Sequence, residues 1–77
     1  MAGPPPAAII EMAHRMMQAG LASEAADVIS ALTSMPGASA EALVLHVQAL
    51  LAAGRAEEAA IARRKALAAG VAETALP

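Results

Sequence analysis

Two histidines, an acidic pair and a basic triplet are the residues of this chain that most invite chemistry. His14 and His46 could ligate a metal or move a proton. Either role needs Asp, Glu or Cys converging on the ring, and none stands at motif spacing. His14 is therefore expected at a groove edge or on the surface, and His46 partly buried and hydrogen-bonded. Glu57-Glu58 reads more simply as a charge-favoured helix start than as an acid/base pair. Arg63-Arg64-Lys65, with Arg55 nearby, forms a small basic patch. It is either a solvated face that complements a negative helix end or an electrostatic contact to an acidic partner. No glycine-rich phosphate loop, nucleophile elbow or paired-carboxylate arrangement appears. The expectation is a protein that is not an enzyme and uses no metal or cofactor.

Composition narrows the class further. The chain has 77 residues, no Cys and no aromatic residue. Disulfides and Cys-based metal sites are thus unavailable as staples. The core must come from Ile, Leu, Val, Met and Ala, without the large burial that rings contribute. At 58% hydrophobic the chain is not disordered by composition, but much of that fraction is alanine, which favours helix and buries little area. A single core of this size rarely supplies more than about 3–5 kcal/mol. A partner or self-association is an expected source of further stability. The net charge of −2 argues against nucleic acid. The apolar stretch Leu43 to Leu51 is broken by His46 and Gln48 and is too short to span a bilayer. The start, Met-Ala-Gly-Pro-Pro-Pro, lacks the basic and long apolar regions of a secretion signal, so a cytoplasmic location is expected.

Four helices must position these residues. Residues 1–5 read as a flexible, Pro-rich lead, with Pro6 suited to a first helical turn. The first helix runs to about Ala19, its apolar side formed by Ile9, Met12, Ala13 and Met16. Gly20 terminates it. The second opens at Ala22 or Ser23, carries the stripe Ala25, Val28, Ile29 and Leu32, and stops before Pro36-Gly37. Ser39 caps the third, whose wide apolar surface makes it the expected central element. Gly54 ends it, and the fourth spans about Ala56 to Ala69. The stripe of the fourth helix, Ala59, Ala62, Arg63 and Ala66, is thin and leaves Ile61 and Leu67 off the face. Residues 71–77 are expected to fray.

Gly20-Leu21-Ala22-Ser23-Glu24-Ala25-Ala26 recurs as Gly54-Arg55-Ala56-Glu57-Glu58-Ala59-Ala60, an offset of 54 − 20 = 34 residues. The glycine permits a tight turn and the alanine lets two helices approach closely. Period and columns resemble tetratricopeptide (TPR) repeats. The resemblance implies an all-α chain of two TPR-like helical hairpins, 6–34 and 39–69, stacked right-handedly in one domain over 6–70. The runs from Glu24 to Leu32, Ala40 to Leu45 and Leu50 to Ala59 look like the TPR-like co-chaperones of bacterial type III secretion needle subunits. These cover about half the chain. That resemblance implies a groove holding the amphipathic helix of a needle protein, together with a second small helical co-chaperone. It also implies that premature polymerisation in the bacterial cytoplasm is prevented. Tryptophan, present in several relatives, is absent here, and His46 and Arg63 replace the usual apolar residues.

In a stack of this kind the first helix of each pair lines the concave face. Ile10, His14, Met17 and Gln18 would then face Val44, Gln48 and Leu51 across a partner-binding groove. An apolar groove suits an amphipathic helix docking by i, i+3, i+4 anchors. The other reading of these residues is the core of a compact four-helix bundle. For the whole chain, the alternatives to a chaperone are a generic TPR adaptor and a structural protein that self-associates through its fourth helix. Homo- and hetero-oligomers both stay open.

Overall fold

The computed structural model describes residues 5–77. Among them are four helices and no strand: α1 (Pro6–Gln18), α2 (Ala22–Thr33), α3 (Ala40–Ala52) and α4 (Ala56–Ala68). The protein is all-α. Residues 1–4 of the expected Pro-rich lead lie outside the described residues. Pro5 is extended, and Pro6 occupies the first turn of α1, where the N–H that proline lacks would have no partner anyway.

The 34-residue repeat is a repeat of turn geometry. The Gly20 N–H donates to the Met17 carbonyl at 3.1 Å, and the Leu21 N–H to the Met16 carbonyl at 2.8 Å. At the second turn Gly54 donates to Leu51 at 3.0 Å and Arg55 to Leu50 at 2.9 Å. Each pair satisfies carbonyls that the helix end would otherwise leave open. Gly20 and Gly54 take φ of +80° and +75°, where a Cβ would strain the backbone. The following residues, Leu21 and Arg55, serve directly as the N-caps of α2 and α4. The α2–α3 link is different: the Ser39 hydroxyl accepts the Ala42 N–H at 3.2 Å and starts α3.

Successive helices pack in order, α1 on α2, α2 on α3 and α3 on α4, the arrangement of a stack of helical hairpins. The helix α3 is central, with Ala42, Leu43, Leu45, Val47, Ala49 and Leu50 all buried. Ile29 is fully enclosed against it. Much of the remaining core is alanine, including Ala13, Ala25, Ala26, Ala59, Ala62 and Ala66. Small residues let the helices come close. The fold is 34 × 28 × 18 Å, and its short dimension equals about two helix layers at 8–10 Å spacing. With two layers, the outer faces of the helices stay open.

Three details depart from the sequence reading. The inward side of α1 is shifted: Ile10 and Ala13 are buried and Ile9, Met16 and Met17 partly so, whereas Met12 points outward. Two adjacent isoleucines offer two overlapping stripes, and packing on α2 selects the second. Ala26 and Thr33 join the buried side of α2 because that helix contacts α3 as well as α1. Lastly, residues 71–77 do not hang free. Val71 is buried, Glu73–Ala75 form a 3-10 turn, and Leu76 packs on the core.

Candidate binding groove

The α1/α3 face gathers part of the expected groove. His14 on α1 and Val44 and Gln48 on α3 line one open cleft of about 430 Å³. Leu51 lies on the same stripe of α3, two turns beyond Val44, and is 44% exposed. It borders a smaller hollow of its own, between α3 and α4, with Val47, Ala56 and Ala60. Ile10, expected in the groove, belongs instead to the core, because the shifted face of α1 turns it toward α2. Met17 is half-buried against the same core, and Gln18 is exposed and outside the cleft lining. The remaining lining comes from Ala40, Glu41 and Leu45 of α3 and from Gly70, Val71, Ala72 and Ala75. The sequence carries one signal for the latter group. Gly70 repeats the turn of Gly20 and Gly54, with its N–H on the Leu67 carbonyl at 3.0 Å and that of Val71 on Ala66 at 3.0 Å.

The basic triplet does not act as one patch. Neighbours in a helix point about 100° apart, since 3.6 residues make a turn. Arg63 faces Glu73 at 3.5 Å. Arg64 is exposed. The Lys65 ammonium donates to the Thr33 carbonyl, so it complements the negative end of α2 rather than that of its own helix. Arg55 ties the two hairpins together: its guanidinium donates to Ser23 Oγ at 3.2 Å and Asp27 Oδ1 at 3.0 Å, and also pairs with Glu58. That contact holds the Glu58 carboxyl below its usual range.

His46 sits between these groups, half-buried. Its Nδ1 lies 3.2 Å from the Thr33 hydroxyl, which itself donates to the Ser30 carbonyl at 3.3 Å. With the hydroxyl hydrogen directed at Ser30, the neutral tautomer that carries its proton on Nδ1 is the one that can donate to the Thr33 oxygen. Burial first, then the positive charges of Lys65 and Arg55, lower its pKa from 6.5, against the weaker opposing pull of Glu58 and Asp27. The unfolded chain therefore binds more protons than the folded one in this range. The stability that neutral His46 confers is full above 6.5 and is lost as pH falls through the depressed folded value. The thermal midpoint should drop on acidification from about pH 7 toward pH 5, ahead of most carboxylate titration. In His46→Gln that early drop should be absent. An identical profile for both proteins, followed by circular dichroism, would remove His46 from the account.

Among the described residues, no group of three or more His, Cys, Asp or Glu side chains could hold a metal ion. Every buried side-chain nitrogen or oxygen among them has a hydrogen-bond partner. No helix among them is long and apolar enough to cross a membrane. Comparison with protein-family models, curated proteins and solved structures finds no match to this chain.

Proposed function

We propose that this chain is a protein-binding module whose α1/α3 face holds an amphipathic helix of a partner protein. The observation that carries the reading is the open cleft lined by His14, Val44 and Gln48, with Leu51 exposed further along the same stripe. Val44, Gln48 and Leu51 follow i, i+4, i+7 spacing, which matches the anchor spacing of a docked helix. An apolar patch on so small a domain is also costly to leave in water, and binding that selects the folded state adds to its stability. Within this class the sequence resemblance favours a small TPR-like co-chaperone. Its bound helix would be that of a type III secretion needle subunit, held in the cytoplasm with a second small helical protein. Neighbouring genes for a secretion apparatus would support that finer reading.

The test is affinity purification of the tagged chain from its source cells, with partners identified by mass spectrometry. Leu51→Glu and Val44→Glu should each reduce capture of the same partner at least about tenfold, as loss of an interface anchor does. Arg64→Glu, on the exposed side of α4, should not. Equal capture by all three variants would place binding elsewhere.

A second reading rests on Ile61, which is 65% exposed on α4. A large aliphatic residue so displayed suits self-association through that helix. Light scattering of the pure chain would then give a discrete dimer, and Ile61→Asp would return it to a monomer.

A further inference from the structure

One wall of the open cleft is the segment Val71–Pro77, laid along α3. Val71 packs against Leu43 and Ala66, and Leu76 bridges the two clusters of the core. Pro77 reaches the hollow beside Val47 and Leu51. The segment thus follows α3 from its first turns to its last. Its place also has a register. The 34-residue period carries the start of α3, Ala40, to 40 + 34 = 74, within the 3-10 turn Glu73–Ala75.

Little holds it there. Its backbone N–H bonds are local: Val71 to Ala66 at 3.0 Å, Ala75 to Ala72 at 2.9 Å and Leu76 to Glu73 at 3.1 Å. Among the described residues none of these bonds reaches α1 or α3. The ion pair of Glu73 with Arg63, at 3.5 Å, is exposed and of the kind that contributes little. Two aliphatic side chains five positions apart supply the rest. A segment with buried anchors and few backbone ties opens at low free energy compared with the core.

Resting on the partner-binding reading above, we propose that Val71–Pro77 is an internal stand-in for the partner. It covers the α3 side of the groove until an incoming segment of the same chemistry displaces it. That chemistry is two aliphatic anchors bracketing a carboxylate that meets Arg63. The partner's apparent affinity is then set by the fraction of molecules in which the segment is released.

The probe is an acetylated synthetic peptide with the sequence of residues 70–77, titrated into the full-length, ¹⁵N-labelled chain. Three proteins are compared: wild type, Leu76→Ser, and Glu73→Lys, whose changed side chain is 76% exposed and leaves the fold intact. The peptide should move the amide signals of Val44, Gln48 and Leu51. It should bind Leu76→Ser about tenfold more tightly than wild type, as expected when a mostly closed site is opened, with Glu73→Lys in between. Hydrogen exchange in the wild type should be at least about a hundredfold faster at Leu76 than at Leu50, because the segment opens alone. Equal peptide affinity for all three proteins, or equal exchange at the two amides, would overturn the inference. Partner capture lost in Leu51→Glu but unchanged in Leu76→Ser and Glu73→Lys would overturn it alone. Capture insensitive to Leu51→Glu would instead remove the partner-binding reading.

Discussion

Ile29→Ala is expected to leave the chain without a cooperative thermal transition at 25 °C. Ile29 is fully enclosed and is the largest such side chain, on the helix that joins α1 to α3. Truncating an enclosed isoleucine costs about 2–5 kcal/mol, through lost transfer free energy and the cavity left behind. A core of this size supplies only about 3–5 kcal/mol, so the two quantities are of the same order. No aromatic ring stands in reserve, and the small alanines around the site cannot swell into the space. Circular dichroism at 222 nm measures the outcome. A sigmoidal transition within a few degrees of the wild-type midpoint would show that stability resides elsewhere in the stack.

The second large effect runs in the opposite direction, by adding volume. Ala59→Leu should destabilise by about 1–3 kcal/mol, the usual cost of forcing methylenes into a packed crossing. Ala59 is 3% exposed, and Ala25, its counterpart 34 residues earlier, is fully enclosed. Both mark the place where the second helix of a hairpin closes on the first. Ala60→Leu, one position on and exposed, is the control. Leucine and alanine are both good helix formers, so propensity changes little between the two variants. Urea denaturation should separate them clearly. Equal midpoints would mean that the repeated alanine is not a packing constraint.

The helix boundaries were readable because punctuation is strong here. Gly20 and Gly54 act through their backbone conformation and Ser39 through its own hydroxyl, all within one turn of chain, and each does in the fold what its residue type suggests. His46 was readable for a related reason: a polar ring within an apolar run needs a partner, and Thr33 supplies it. Side-chain phase was harder to read. On α1 the adjacent Ile9 and Ile10 fit two helical stripes equally, and only the position of α2 decides which is buried. That choice moved Ile10 from the groove to the core and turned Met12 outward. The basic triplet misleads in a similar way. Residues adjacent in sequence diverge around a helix, so Arg63, Arg64 and Lys65 meet different surroundings. The fold-back of Val71–Pro77 depends on a surface that exists only after α3 and α4 have packed. No local periodicity announces it, beyond Gly70 repeating an earlier turn.

Docking of a partner on the α1/α3 face is a proposal that site-specific photo-crosslinking in the source cells can decide. A photo-reactive side chain replaces Gln48, exposed within the cleft lining, or Arg64, exposed on α4 outside it. A covalent adduct to one partner protein is expected from position 48 and none from position 64. An adduct from position 64 with none from position 48 would contradict the proposal.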